Sequence, residues 1–402
     1  MAMITLTDLL TASQRGGSST LTSVTELRPA AGPHASVAPA KFVNRSGSTF
    51  AFETRYVDGE AVNVALLDSK QSQLNRAESA LSLAVRDGEE TAAKIPHITV
   101  DYGEKDYTDL ELPHRAFDGH VRAASLDGVP VPQTEQFQAL RNCTPANARP
   151  LLETSPFSLV GGVWDSTRKA DQVRFRSALV GEIIGVLADQ QAAGDNLSSL
   201  RGGARVDPVA MSVQLSGPDL EKILDAQQDE LSSKLVEKIR KEIKGLKKGE
   251  RISASNLGLG GIPPQLDALG GVACSRIIRS WVLSFAALRQ IRFGAGAEGD
   301  VACRALLAAL ALNSIARAEQ ELYLRANCDL VEAAAPVVTL DERFGSSREL
   351  EPLTVDAADA LLEEAMELAA RKAGVVWSGQ DMRVTGDPAI IRGAVDESED
   401  EA

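Results

Sequence analysis

The run GDVACRALLAALALNSIARAEQELYLR, residues 299–325, constrains this chain more than any other stretch. It has the length and composition of a helix that is apolar on nearly every side, and such a helix is buried. A strand-like segment, CSRIIRSWVLSF (274–285), precedes it, and it runs into ANCDLVEA (326–333), a further strand. The helix is thus flanked in sequence by strands on both sides.

Other segments supply further strands. LTSVTELRP (21–29) alternates and ends at proline, and STFAFETRYVDGEAVNVALL reads as a hairpin turning at Asp58-Gly59. Residues 68–85 then carry Leu74, Ala77, Leu81 and Val85 at helical spacing, with Asp87-Gly88 as the stop. IPHITVDYG (95–103) is a strand, TDLELPHRAFDGHVRAASL a broken helical stretch, and 129–156 an irregular, proline-studded segment. FSLVGGVWDST reads as a strand, VRFRSALVGEIIGVLADQ as a helix entered through basic residues, and ARVDPVAMSVQL as a strand. Residues 217–251 read as one long charged helix with Leu224, Leu231, Leu235 and Ile239 on a stripe and a basic second half. SNLGLGGIPP (255–264) is a loop. A last helix, TVDAADALLEEAMELAARKAG, precedes a short hairpin and an acidic tail.

Strands separated by hairpins and long insertions, not by regular crossovers, indicate an α+β fold with a split β-α-β core. The expected organisation is a single elaborated domain over 1–391, with insertions near 104–156 and 217–264, and a tail at 392–402. No stretch reads as long and apolar enough to span a bilayer, and the N-terminus reads as a short helix or arm without a signal peptide, which gives a cytoplasmic expectation.

Several chemistries are excluded. Cys143, Cys274, Cys303 and Cys328 form no C-x-x-C pair, so they read as buried reduced thiols. His114 and His120 are the closest histidines, at a spacing that puts them on different helix faces. P-loop, nucleophile-elbow and zincin motifs are missing, and no metal or cofactor is expected. Asp165 in GVWDST and Asp207 in RVDPV stand at strand ends without a paired base, as capping aspartates do. The net charge of −14 opposes nucleic-acid binding only in total, because DESEDEA alone contributes five acids.

One polar turn remains. DSKQSQLNRAE (68–78) opens a helix with Ser69, Lys70, Gln71, Ser72, Gln73, Asn75 and Arg76. Ser69, Ser72 and Arg76 share a face with Gln73, and Lys70 and Gln71 occupy a first turn whose free N–H groups favour anions. The turn suits a phosphate backbone; it equally suits a capped, exposed helix start, with Asp68 or Ser69 as N-cap. Arg168, Lys169, Arg174 and Arg176 form a second basic group.

The S-x-Q-S-x-x-N-R pattern after a strand resembles the SSQS-x-x-R element of CRISPR-associated RAMP backbone proteins. LLDSKQSQLNRAE, GGVWDST…RFRSALVGEIIG, ARVDPVAMSV, SNLGLGGIPP, LSFAALRQIRFG and ALLAALALNSIARAEQELYLRANCDL follow in the order of one subfamily, the backbone subunit of type I-G (formerly I-U) Cascade complexes. The resemblance spans 22–332. It implies an RRM-like, ferredoxin-like RAMP core with a thumb-like element. It also implies a non-catalytic subunit that oligomerises along CRISPR guide RNA and presents it to target DNA beside other Cascade subunits. By motif, Ser69, Gln71, Ser72, Asn75 and Arg76 become guide-backbone contacts, extended to Lys70, Arg174, Arg176 and Asn256. The family's helix start is more basic than this one, so the guide would need a local positive strip. Two rivals remain: target-RNA cleavage through Asp165 or Asp207, and guide processing through His114 or His120.

Overall fold

The computed structural model describes residues 2–44, 47–191, 200–203, 212–260 and 265–393. It divides into two compact units, one formed by 1–197 with 272–402 and the other by 198–271.

The first unit is built on an eight-stranded sheet. Its strands are β1 (Thr20–Pro29), β2 (Phe52–Val57), β3 (Glu60–Asp68), β4 (Leu179–Leu187), β5 (Cys274–Ser284), β6 (Leu330–Glu332), β7 (Val337–Asp341) and β8 (Ser347–Leu350). The order is β8-β7-β1-β5-β4-β3-β2, β6 also pairs with β1, and every pairing is antiparallel. The central four, β7-β1-β5-β4, follow the antiparallel 4-1-3-2 order of a split β-α-β core, so the α+β expectation holds. Asp58 and Gly59 both take positive φ, 52° and 86°, and close the β2–β3 hairpin as a type I′ turn requires.

The helices of this unit include α1 (Leu6–Ser13), α2 (Lys70–Arg86), α3 (Gly296–Gln320) and α4 (Val355–Ala373). Leu21 and Leu27 of β1, Trp281 and Leu283 of β5, Leu74 and Leu81 of α2, Leu306 and Leu310 of α3 and Leu362 of α4 are all buried. By length and composition α3 could cross a membrane, contrary to the sequence reading, but 83% of its apolar window is buried, which makes it the core helix of this unit. A second sheet pairs His97–Asp101 in parallel with Asp381–Thr385, so the expected C-terminal hairpin is a single strand added to a remote partner.

Other elements differ from the sequence reading. Residues 179–187, read as a helix, form β4. Its buried glycines explain the choice: a Cβ at Gly181 would collide with the Trp281 ring, and one at Gly185 with the Cys274 sulfur. Glycines that would weaken a helix here admit an indole to the sheet. Residues 157–161, read as a strand, form a short helix that ends at Gly162, φ 84°. The segment 129–156 contains helices at Glu135–Arg141 and Arg149–Thr154, and β7 and β8 form a hairpin that the sequence reading does not contain.

In the second unit, the stretch read as one long helix is two, Gly217–Asp225 and Ser233–Lys244. The Ser232 hydroxyl caps the second by accepting from the Leu235 N–H at 3.2 Å. Breaking the helix lets Leu220, Leu224, Val236 and Ile239 pack with Ala254 into a small core. Lys238, Lys241, Lys244, Lys247 and Lys248 remain exposed. Residues 204–211 (with Asp207), 261–264 and the acidic tail from 394 lie outside the described residues.

Candidate nucleic-acid interface

β3 ends on Asp68 and α2 starts two residues later, with Ser69 as N-cap: its hydroxyl accepts from the Ser72 N–H at 3.2 Å. The N–H groups of Lys70 and Gln71 have no acceptor within the helix, and the positive end of the helix dipole is added to them.

The turn is organised from below by Asp68, whose side chain is fully buried. One carboxylate oxygen accepts from Ser72 Oγ at 2.9 Å and from Arg325 at 2.6 Å; the other accepts from Gln73 Nε2 at 2.6 Å and Arg76 Nε at 3.0 Å. Arg76 adds a second bond to Asp68 at 3.3 Å and donates its remaining nitrogen to the Tyr323 carbonyl. Burial by itself would push the Asp68 carboxyl up. The Arg76 and Gln73 hydrogen bonds, the Arg76 charge and the Ser72 bond outweigh it and hold the group below the ordinary carboxylate range.

The expected site residues therefore divide. Ser72, Gln73 and Arg76 do share a face, but that face turns inward onto Asp68. Gln73, read as part of the phosphate surface, is a buried ligand of the carboxylate. The outward face carries Gln71 and Asn75, one helical turn apart, both exposed and without a side-chain hydrogen bond among the described residues. Lys70 is beside them, its side chain 56% exposed and 3.9 Å from Glu182 of β4. Glu182 is more closely engaged by Arg55, at 3.0 Å.

Arg174 and Arg176 do not flank a helix start. Arg174 lies on a two-stranded ribbon, Val163–Trp164 against Arg174–Phe175, and both arginines are exposed. β4 links this ribbon to the α2 turn: from Arg176 to Glu182, beside Lys70, is roughly 20 Å of extended chain at most. Asn256 belongs to the second unit, on a 3-10 turn, with Glu242 at 3.4 Å.

Two of the candidates for catalysis, Asp165 and His120, have side-chain partners. Asp165 is buried and accepts from Arg141 Nε at 2.7 Å. The His120 ring pairs with the Tyr102 hydroxyl at 2.7 Å, whereas His114 is exposed and only its backbone N–H donates to Asp118, at 3.1 Å.

Asp68 and Arg325 escaped the sequence reading as a pair. The available signal was a carboxylate closing an apolar strand, with Ser and Arg four and eight residues later.

Residues 21–190 match a family model described as CRISPR-associated protein GSU0053. The match covers less than half of the chain, and it supports a CRISPR-associated protein. It includes β2–β4, α2 and the Trp164–Arg174 ribbon; Asn256 lies outside it. No curated protein matches the chain significantly.

Proposed function

We propose that the chain is a non-catalytic backbone subunit of a CRISPR effector complex of the type I-G Cascade kind. It binds guide RNA by its phosphates, lines up with further copies along the guide, and leaves the bases free to pair with target DNA. One observation carries this reading: a helix N-terminus, clamped from beneath by a buried carboxylate, presents Lys70, Gln71, Asn75 and two free N–H groups to solvent within the segment that matches a CRISPR-associated family. Such a surface positions a phosphate backbone and reads no base. Ser72 and Arg76 act one step behind it, by fixing the turn through Asp68. The engagement of Asp165 by Arg141 speaks against a cleaving role for that residue.

The test is expression with and without guide RNA, followed by sizing. RNA that co-purifies with a length scaling with the oligomer supports the reading, and a nucleic-acid-free monomer at low salt, where phosphate affinity is greatest, overturns it. Replacing Lys70, Gln71 and Asn75 together by Ala should cut RNA retention about tenfold or more while leaving the melting temperature unchanged. Unchanged retention removes this turn from the interface.

A further inference from the structure

The sequence holds three tryptophans. Trp281 and Trp377 are buried, whereas Trp164 is 49% exposed. Trp164 stands opposite Arg174 across the short ribbon, and their neighbours Val163 and Phe175 turn inward, so Trp164 and Arg174 face outward together. The Arg174 guanidinium carbon lies 5.1 Å from the indole ring centroid.

The indole is held in place. Its Nε1–H donates to Gln172 Oε1 at 3.0 Å, and the Gln172 amide donates in turn to the Ser166 and Arg168 carbonyls at 3.0 and 2.7 Å. The loop between the two strands is fastened beneath by Asp165 on Arg141 and by Arg168, which donates to Asn142 Oδ1 at 2.9 Å. Lys169 and Arg176 lie exposed on either side, with Asp171 as the exposed acid of the loop. Within a chain of net charge −14 this ribbon is a local positive strip.

We propose that Trp164 and Arg174 form a stacking platform for one unpaired nucleobase, with Lys169 and Arg176 taking the flanking phosphates. An aromatic ring pinned by its own N–H and paired with a guanidinium has no need of a cationic ligand and disfavours one. What it accepts is a flat π face attached to negative charge, which describes a nucleotide in a single strand. The inference rests on the RNA-binding reading and adds to it a contact with a base, where the α2 turn contacts only phosphate.

The test uses the full chain and three short probes of equal length: oligoadenylate RNA, its DNA counterpart, and an RNA-backbone oligomer with abasic sites. Because Trp164 is the exposed tryptophan, its fluorescence should be quenched by the base-bearing probes and not by the abasic one. Trp164→Ala should weaken oligoadenylate binding about tenfold and leave abasic binding unchanged, and Trp164→Phe should retain most of the affinity. Stronger quenching by RNA than by DNA assigns the platform to the guide strand, and the reverse to the target strand. If Trp164→Ala binds oligoadenylate as tightly as the parent, or loses both probes equally, the platform is overturned while the phosphate reading stands. If the parent binds none of the probes at low salt, both readings fall.

Discussion

The clearest physical commitment in this structure is the carboxylate of Asp68, and Asp68→Asn tests it with almost no change of shape. The native group accepts five hydrogen bonds, three of them from the guanidinium groups of Arg76 and Arg325. Burying a carboxylate costs several kcal/mol, so the intact cluster contributes little net stability. The substitution is asymmetric. Two arginines lose their counter-charge, and an amide N–H is turned toward donors that it cannot satisfy. Removing one side of a buried ion pair costs about 3–5 kcal/mol, and an unsatisfied buried donor about 1–3 kcal/mol. Arg76 and Arg325 retain 26% and 28% side-chain exposure, so water compensates in part. The expected loss is about 2–4 kcal/mol.

The pH dependence carries the sign. The native Asp68 pKa lies below its ordinary 3.8. Its contribution is therefore complete above that value, where the unfolded group is also ionised, and is lost as pH falls through the lowered native pKa. Urea unfolding followed by circular dichroism should show the full deficit of Asp68→Asn at neutral pH and a closing gap at strongly acid pH. Hydrogen exchange should place the loosening in the first turns of α2. A variant with the parent's urea midpoint at neutral pH would refute the cluster as the anchor of this turn.

Two further outcomes follow from packing. Gly181→Ala forces a methyl group into the Trp281 ring between two central strands and should cost about 1–3 kcal/mol; a smaller side chain at 281 should recover part of it in a double-mutant cycle. Cys143 and Cys303 are buried, and burial pushes their thiols up to about 11 and about 12, so alkylation at neutral pH should modify them only when urea unfolds the chain. Rapid labelling of either in the native protein would contradict the core as described.

What was legible in the sequence, and what was not, separates along one physical line. Local signals carried the β2–β3 turn at Asp58-Gly59, the span of α2 and the burial of α3, because each depends on residues near in sequence. The misreadings arose where a distant partner overrides the local pattern. LVGEIIGVL fits a helix until Trp281 is known to need the space over Gly181, and the charged stretch at 217–251 fits one helix until its two apolar halves are folded onto each other. The candidate interface shows the same division within a single turn. Ser72, Gln73 and Arg76 have the composition of a phosphate grip, and their local spacing is equally that of a carboxylate cage. Arg325, supplied from beyond α3, helps complete the cage around Asp68. Once Asp68 holds those three groups, the part of the turn left for a ligand is the opposite stripe, Lys70, Gln71 and Asn75. Of the residues the sequence offered on this turn, Ser72 and Arg76 are bound to Asp68, and Lys70, Gln71 and Asn75 are the exposed ones that the proposed function would use.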